Sequence, residues 1–138
     1  MKAGRGFLFD ARLSGNGLVS CGICHLDADR DGLAWDLGDP NGELQSVIGA
    51  NLSIHDTTPR TRVLHPMKGP MVTQTLRGLQ GGAPFHWRGD RAEIADFNPT
   101  YANLLGGEQI DADAMDDLTG YLLTVRHHPN PNRNPDRS

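Results

Sequence analysis

Two cysteines occur in the 138 residues, and their placement constrains the chain more than any other feature: Cys21 and Cys24 enclose Gly22-Ile23, and His25 follows directly. A Cys-x-x-Cys-His run attaches a c-type haem, each thiol adding across a vinyl group of the porphyrin while the adjacent imidazole reaches the iron. The spacing suits that chemistry because one short helical turn presents both sulfurs to the same edge of the macrocycle. The same thiols also suit a thioredoxin-type dithiol, a structural disulfide or half of a zinc site. Zinc needs further ligands, and the chain has no third cysteine and no His-x3-His; a redox dithiol needs a βαβ setting, which residues around 21–24 do not spell. One covalent haem c is the expected cofactor, with Cys21 and Cys24 holding it and His25 as the proximal iron ligand.

A chain of this length makes one domain, and 17 glycines and 9 prolines beside 37% hydrophobic residues make it rich in loops. Such a domain buries a thin core from its own side chains, so a porphyrin would serve as an apolar slab for loops to pack on. A net charge of −4 argues against nucleic acid as a partner, and no stretch is long and apolar enough to span a membrane. Covalent haem implies maturation outside the cytoplasm, yet Met1-Lys2-Ala3-Gly4-Arg5-Gly6-Phe7 contains no signal sequence. The expectation is a periplasmic or extracellular domain whose signal peptide is absent from this chain.

A six-coordinate iron needs a second axial donor. His65, Met67 and Met71 lie in one loop stiffened by Pro66 and Pro70, and one of the three is expected as the distal ligand. A methionine there raises the reduction potential and a histidine lowers it. Arg12 and Arg77 are the candidates for the haem propionates, because a planar guanidinium can hold a carboxylate through two bonds. Trp35 and Trp87 are expected as packing residues near the haem.

Asp27, Asp29, Asp31 and Gly32 match the first half of an EF-hand loop, with Gly38 where the bidentate Glu belongs. A solvated acidic turn is the simpler reading and calcium the other. Val47, Ile48, Leu52 and Ile54 can cover a haem face or form a short helix, and His55 reads as a surface histidine. A final helix capped by Asp111 or Asp113 carries Met115, Leu118, Leu122 and Val125 on one face, with Gly120 letting another helix come close. These patterns divide the chain into a haem domain over 1–128 and a proline- and asparagine-rich tail or linker over 129–138.

Gly4-Arg5-Gly6-Phe7-Leu8-Phe9-Asp10-Ala11-Arg12-Leu13-Ser14-Gly15, running into Ser20-Cys21-Gly22-Ile23-Cys24-His25, resembles the opening of a haem domain of the bacterial di-haem cytochrome c peroxidase family. Lys68-Gly69-Pro70, Thr75-Leu76 and Phe85-His86-Trp87-Arg88-Gly89-Asp90-Arg91-Ala92 resemble that family's peroxide-binding domain. The resemblance implies an all-α, loop-rich, class I cytochrome c-like fold in which an N-terminal helix crosses a C-terminal one. It also implies His65 as a removable distal ligand. The family uses two haems, whereas this sequence has one Cys-x-x-Cys-His. The expected function is therefore electron transfer through one covalent haem, with redox proteins as partners. The alternative is a peroxidase-like oxidoreductase that reduces hydrogen peroxide beside a second haem domain or chain.

Overall fold

The computed structural model describes residues 2–38, 40–49 and 60–134. Helix α1 (Lys2–Phe9) packs across α4 (Ala112–Leu122), and their crossing is the centre of the core. Apolar positions at 115, 118 and 122 fall on one face of a 3.6-residue helix, and Met115, Leu118 and Leu122 are buried there against Leu8. Asp111 is the cap: its carboxylate accepts from the Ala114 amide at 2.8 Å, satisfying one of the donors a helix start leaves unpaired. Val125 lies beyond the helix end and packs on the core from the following turn. The close approach belongs to Gly4, where a Cβ would run into the Asp117 carbonyl, whereas Gly120, expected to make that room, faces open space.

The all-α expectation is overturned. Helices α2 (Cys21–Cys24) and α3 (Pro99–Asn103) are four and five residues long, and two antiparallel two-stranded sheets fill the middle of the chain. Strand β1 (Ala34–Trp35) pairs with β4 (Met71–Val72), placing Trp35 opposite Met71. Strand β2 (Gln45–Gly49) pairs with β3 (Arg60–Leu64), in register from Gln45 opposite Leu64 to Gly49 opposite Arg60. The β-branched residues Val47, Ile48, Thr61 and Val63 favour extended backbone, and pairing gives their amides and carbonyls partners. Residues 45–49 are thus a strand, while Leu52, Ile54 and His55 lie outside the described residues. The architecture is mixed and loop-rich, with tight 3-10 turns at Ala11–Leu13, Leu26–Ala28 and Ile94–Phe97.

Two side-chain clasps fix the loops around this frame. Asn98 precedes α3, but its amide is not a cap. It donates to the Ile110 carbonyl at 2.8 Å and accepts from the Ile110 amide at 3.0 Å, closing the loop between α3 and α4. Buried Tyr101 donates to the Phe7 carbonyl at 3.0 Å, tying α3 to the end of α1.

Candidate haem site

Helix α2 is a single turn closed by the His25 amide donating to the Cys21 carbonyl at 3.0 Å. It sits against α1 through Gly22, where the Phe9 ring leaves no room for a Cβ. Both thiols are free. Burial pushes Cys21 and Cys24 above the ordinary thiol range, so both are protonated at neutral pH. After His25 the chain reverses sharply through Asp27 and Ala28, both at positive φ, and the Ala28 amide returns to the His25 carbonyl. That reversal brings the Asp29 carbonyl to 3.3 Å from His25 Nδ1. An imidazole that donates from Nδ1 to a carbonyl presents Nε2 to a metal in a fixed ring orientation. Burial lowers the His25 pKa, favouring the neutral, ligating form.

Cys21, Cys24 and His25 open into a cavity of about 420 Å3. That lies within the roughly 300–1,000 Å3 of small-molecule and cofactor sites. Leu8, Leu118 and Leu122 close it at the helix crossing, Tyr101, Leu104 and Leu105 form another wall, and Trp35, Leu37 and Trp87 are exposed at its rim. Lys68 and Arg88 also line it. Two free thiols and a neutral imidazole in one apolar cleft, with two cations on its wall, are the donor set and surroundings that a covalently held porphyrin with two acid groups needs. The residues present fit haem c.

The other sequence candidates are not all gathered there. Met71 lines the cavity, whereas Met67 and His65 do not. Met67 packs its sulfur against Gly38, and His65 Nδ1 accepts from the Met67 amide at 3.0 Å. Arg88 holds this loop from the cavity side, donating to the His65 carbonyl at 2.8 Å and the Met67 carbonyl at 3.4 Å. Arg12 lies outside the cavity with its guanidinium engaged by Asp10, the shortest contact being 2.7 Å. The side-chain and backbone hydrogen bonds of Arg12 draw the Asp10 carboxyl down to about 2. Arg77 is outside as well. It donates to the Asp27 carbonyl at 2.8 Å and the Arg126 carbonyl at 3.4 Å, and its Nε lies 3.4 Å from an Asp29 oxygen. Arg77 thus clasps the turn after His25 to the chain leaving α4.

In the acidic turn, Asp31 accepts from the Leu33 amide at 2.9 Å and from Trp35 Nε1 at 2.8 Å. Among the described residues no three His, Cys, Asp or Glu side chains converge to hold a metal ion between them.

Sequence reasoning passed over one wall residue that can bind iron. His86 lines the cavity at φ +69, its Nδ1 lying 2.9 Å from Asp90 Oδ1 and its ring edge-on to Phe97. The turn over Gly81-Gly82-Ala83-Pro84 suggests a return of the chain toward the haem edge but does not single out His86 as a ligand. The His86 and Asp90 spacing acquires meaning once Phe85 and Arg91 pair and fold the segment into a closed loop.

No family model matches the sequence, nor does any curated protein. The peroxidase-family resemblance therefore rests on the motifs named above. A solved structure of Kuenenia stuttgartiensis hydrazine synthase, pressurised with 20 bar of xenon, is similar over 96% of this chain, with a TM-score of 0.61 and 22% identity. At that identity the likeness concerns the fold, and this chain spans 38% of that chain's length.

Proposed function

We propose that the chain is a c-type haem domain that carries electrons. The observation behind this reading is that both free thiols of the Cys-x-x-Cys-His run and the His25 imidazole open into one apolar, cofactor-sized cavity. Haem held there supplies a one-electron ferric/ferrous couple. Cys21 and Cys24 anchor it, and His25, oriented by the Asp29 carbonyl, offers Nε2. Leu8, Leu118 and Leu122 keep water from the inner side, while Lys68 and Arg88 are the cations on the wall that the acid groups would meet. The exposed rim formed by Trp35, Leu37 and Trp87 is where a redox partner would approach. Similarity to part of a longer solved chain suits a module working beside another domain or chain, a second haem domain included. The reading carries with it a periplasmic or extracellular location, where covalent haem is attached.

Export of the chain into a bacterial periplasm alongside c-type maturation machinery tests the proposal. Pigment should survive acid-acetone extraction and disappear in the Cys21→Ala, Cys24→Ala double variant. A colourless protein overturns the haem reading. Reduced protein that consumes hydrogen peroxide catalytically overturns the carrier role in favour of the peroxidase-like one.

A further inference from the structure

We infer that His86, oriented by Asp90, is the second axial ligand of the iron, in place of the methionines and histidine of the 65–71 loop. The inference rests on the haem reading above.

Beyond the attachment motif, the thioether and imidazole donors on the cavity wall are Met71, Met115 and His86. Met115 is a core residue of α4, buried among Leu8, Leu118 and Leu122. Met71 sits on β4, and the chain that continues from it backs His25: the Thr73 amide bonds to the Leu33 carbonyl, the Leu76 amide to the Ala28 carbonyl, and the Gln74 backbone meets the His25 ring. The stretch that follows β4 thus supports the proximal imidazole. His86 reaches the cavity from a different segment, which Trp87 ties to β4 by donating from Nε1 to the Val72 carbonyl at 2.8 Å. Its ring meets Phe97 of the 94–97 turn edge-on at 4.6 Å, and that turn leads into the wall made by Tyr101, Leu104 and Leu105.

The local structure is built to hold this imidazole. Phe85 accepts no freedom from its neighbours: its amide bonds to the Arg91 carbonyl at 2.7 Å, and the Gly89 amide closes back on the His86 carbonyl at 3.1 Å. His86 forms the corner of that loop in the left-handed region, a conformation that costs a non-glycine residue energy and is found where surroundings enforce it. Asp90, its side chain 9% exposed, fixes Nδ1, while Arg91 Nη1 lies 3.4 Å from the second carboxylate oxygen. A carboxylate on Nδ1 sets the tautomer and raises the basicity of the other nitrogen, the arrangement that metal-binding histidines use. Nε2 has no protein partner among the described residues.

The test is electron paramagnetic resonance and near-infrared spectroscopy of the oxidised, haem-loaded full chain. The expected result is low-spin iron with two nitrogen ligands and no far-red sulfur-to-iron band. His86→Ala should turn the iron high-spin, and added imidazole should restore the low-spin signal. Met71→Ala and His65→Ala should leave the spectrum unchanged. His86→Met keeps a ligand at the position, so it guards against a collapsed alanine variant; it should introduce the sulfur band and raise the reduction potential. A sulfur band in the unaltered protein that Met71→Ala removes, or a His86→Ala spectrum identical to the parent, overturns the inference while leaving covalent haem intact. Loss of pigment from the unaltered chain overturns the haem reading itself.

Discussion

Replacing Asn98 with alanine should destabilise the haem-loaded protein by about 2–3 kcal/mol. The side chain makes two bonds to one residue, donating to the Ile110 carbonyl at 2.8 Å and accepting from its amide at 3.0 Å. Ile110 is 9% exposed, so both groups lose their partner where water reaches poorly. Each buried polar group left unpaired costs about 1–3 kcal/mol, and the half-buried setting of Asn98 places the pair near the lower end of that sum. For a domain of this size the loss corresponds to a fall in Tm of roughly 6–12 °C. Asn98→Asp separates the two bonds: it retains an acceptor for the Ile110 amide but turns an oxygen toward the Ile110 carbonyl. It should therefore do no better than alanine at neutral pH. Urea unfolding followed by circular dichroism gives the free energies. A loss below about 0.5 kcal/mol for Asn98→Ala would refute the reasoning, because it would mean that water replaces both bonds without penalty.

The two glycines of the helix crossing should respond with opposite signs. Gly4→Ala drives a methyl into the Asp117 carbonyl and should cost about 1–3 kcal/mol, whereas Gly120→Ala meets open space and should gain about 0.5–1 kcal/mol in urea melts. Arg77→Lys keeps the charge but loses the fork that spans the Asp27 and Arg126 carbonyls; unfolding should become easier by about 1–2 kcal/mol. The Asp10 carboxyl, held at about 2 against an ordinary 3.8, is depressed in the folded state, so its stabilisation is present above roughly pH 4 and is lost as pH falls toward 2. Carbon-detected NMR titration should find that midpoint, and Arg12→Ala should raise it only in part, because the backbone amide at position 12 still donates.

The Cys-x-x-Cys-His run stands out because the chemistry proposed for it demands consecutive residues, and α4 was legible because burial on one face leaves a 3.6-residue imprint. The strands were not. Gln45–Gly49 has no clean alternation, and its partner begins only at Arg60, so only pairing reveals it. Arg12 and Arg77 carried the right charge for propionates, but local carboxylates and carbonyls claim them, a competition that spacing does not encode. Gly120 drew notice by lying inside a helix, yet the tight contact belongs to Gly4, and depth at a crossing cannot be read from one helix alone. Met71 and Met67 look alike beside their prolines, and the β1–β4 pairing distinguishes them by bringing one to the wall and leaving the other against Gly38. His86 was hidden for a related reason: its role depends on a loop closed by Phe85 and Arg91, whose pairing has no sequence signature.

The crossing of α1 over α4 also sets an order of events. Gly4 and Asp117 are separated by more than a hundred residues, and joining ends so far apart costs about 4 kcal/mol of chain entropy before any contact repays it. The half of the core that seals Cys21 is supplied by Tyr101 and α4, both of which emerge well after the thiols. Until they arrive, the sulfurs stand on an open chain. On the haem reading, a variant whose core closes faster would shorten the interval in which a pigment can be joined to the thiols.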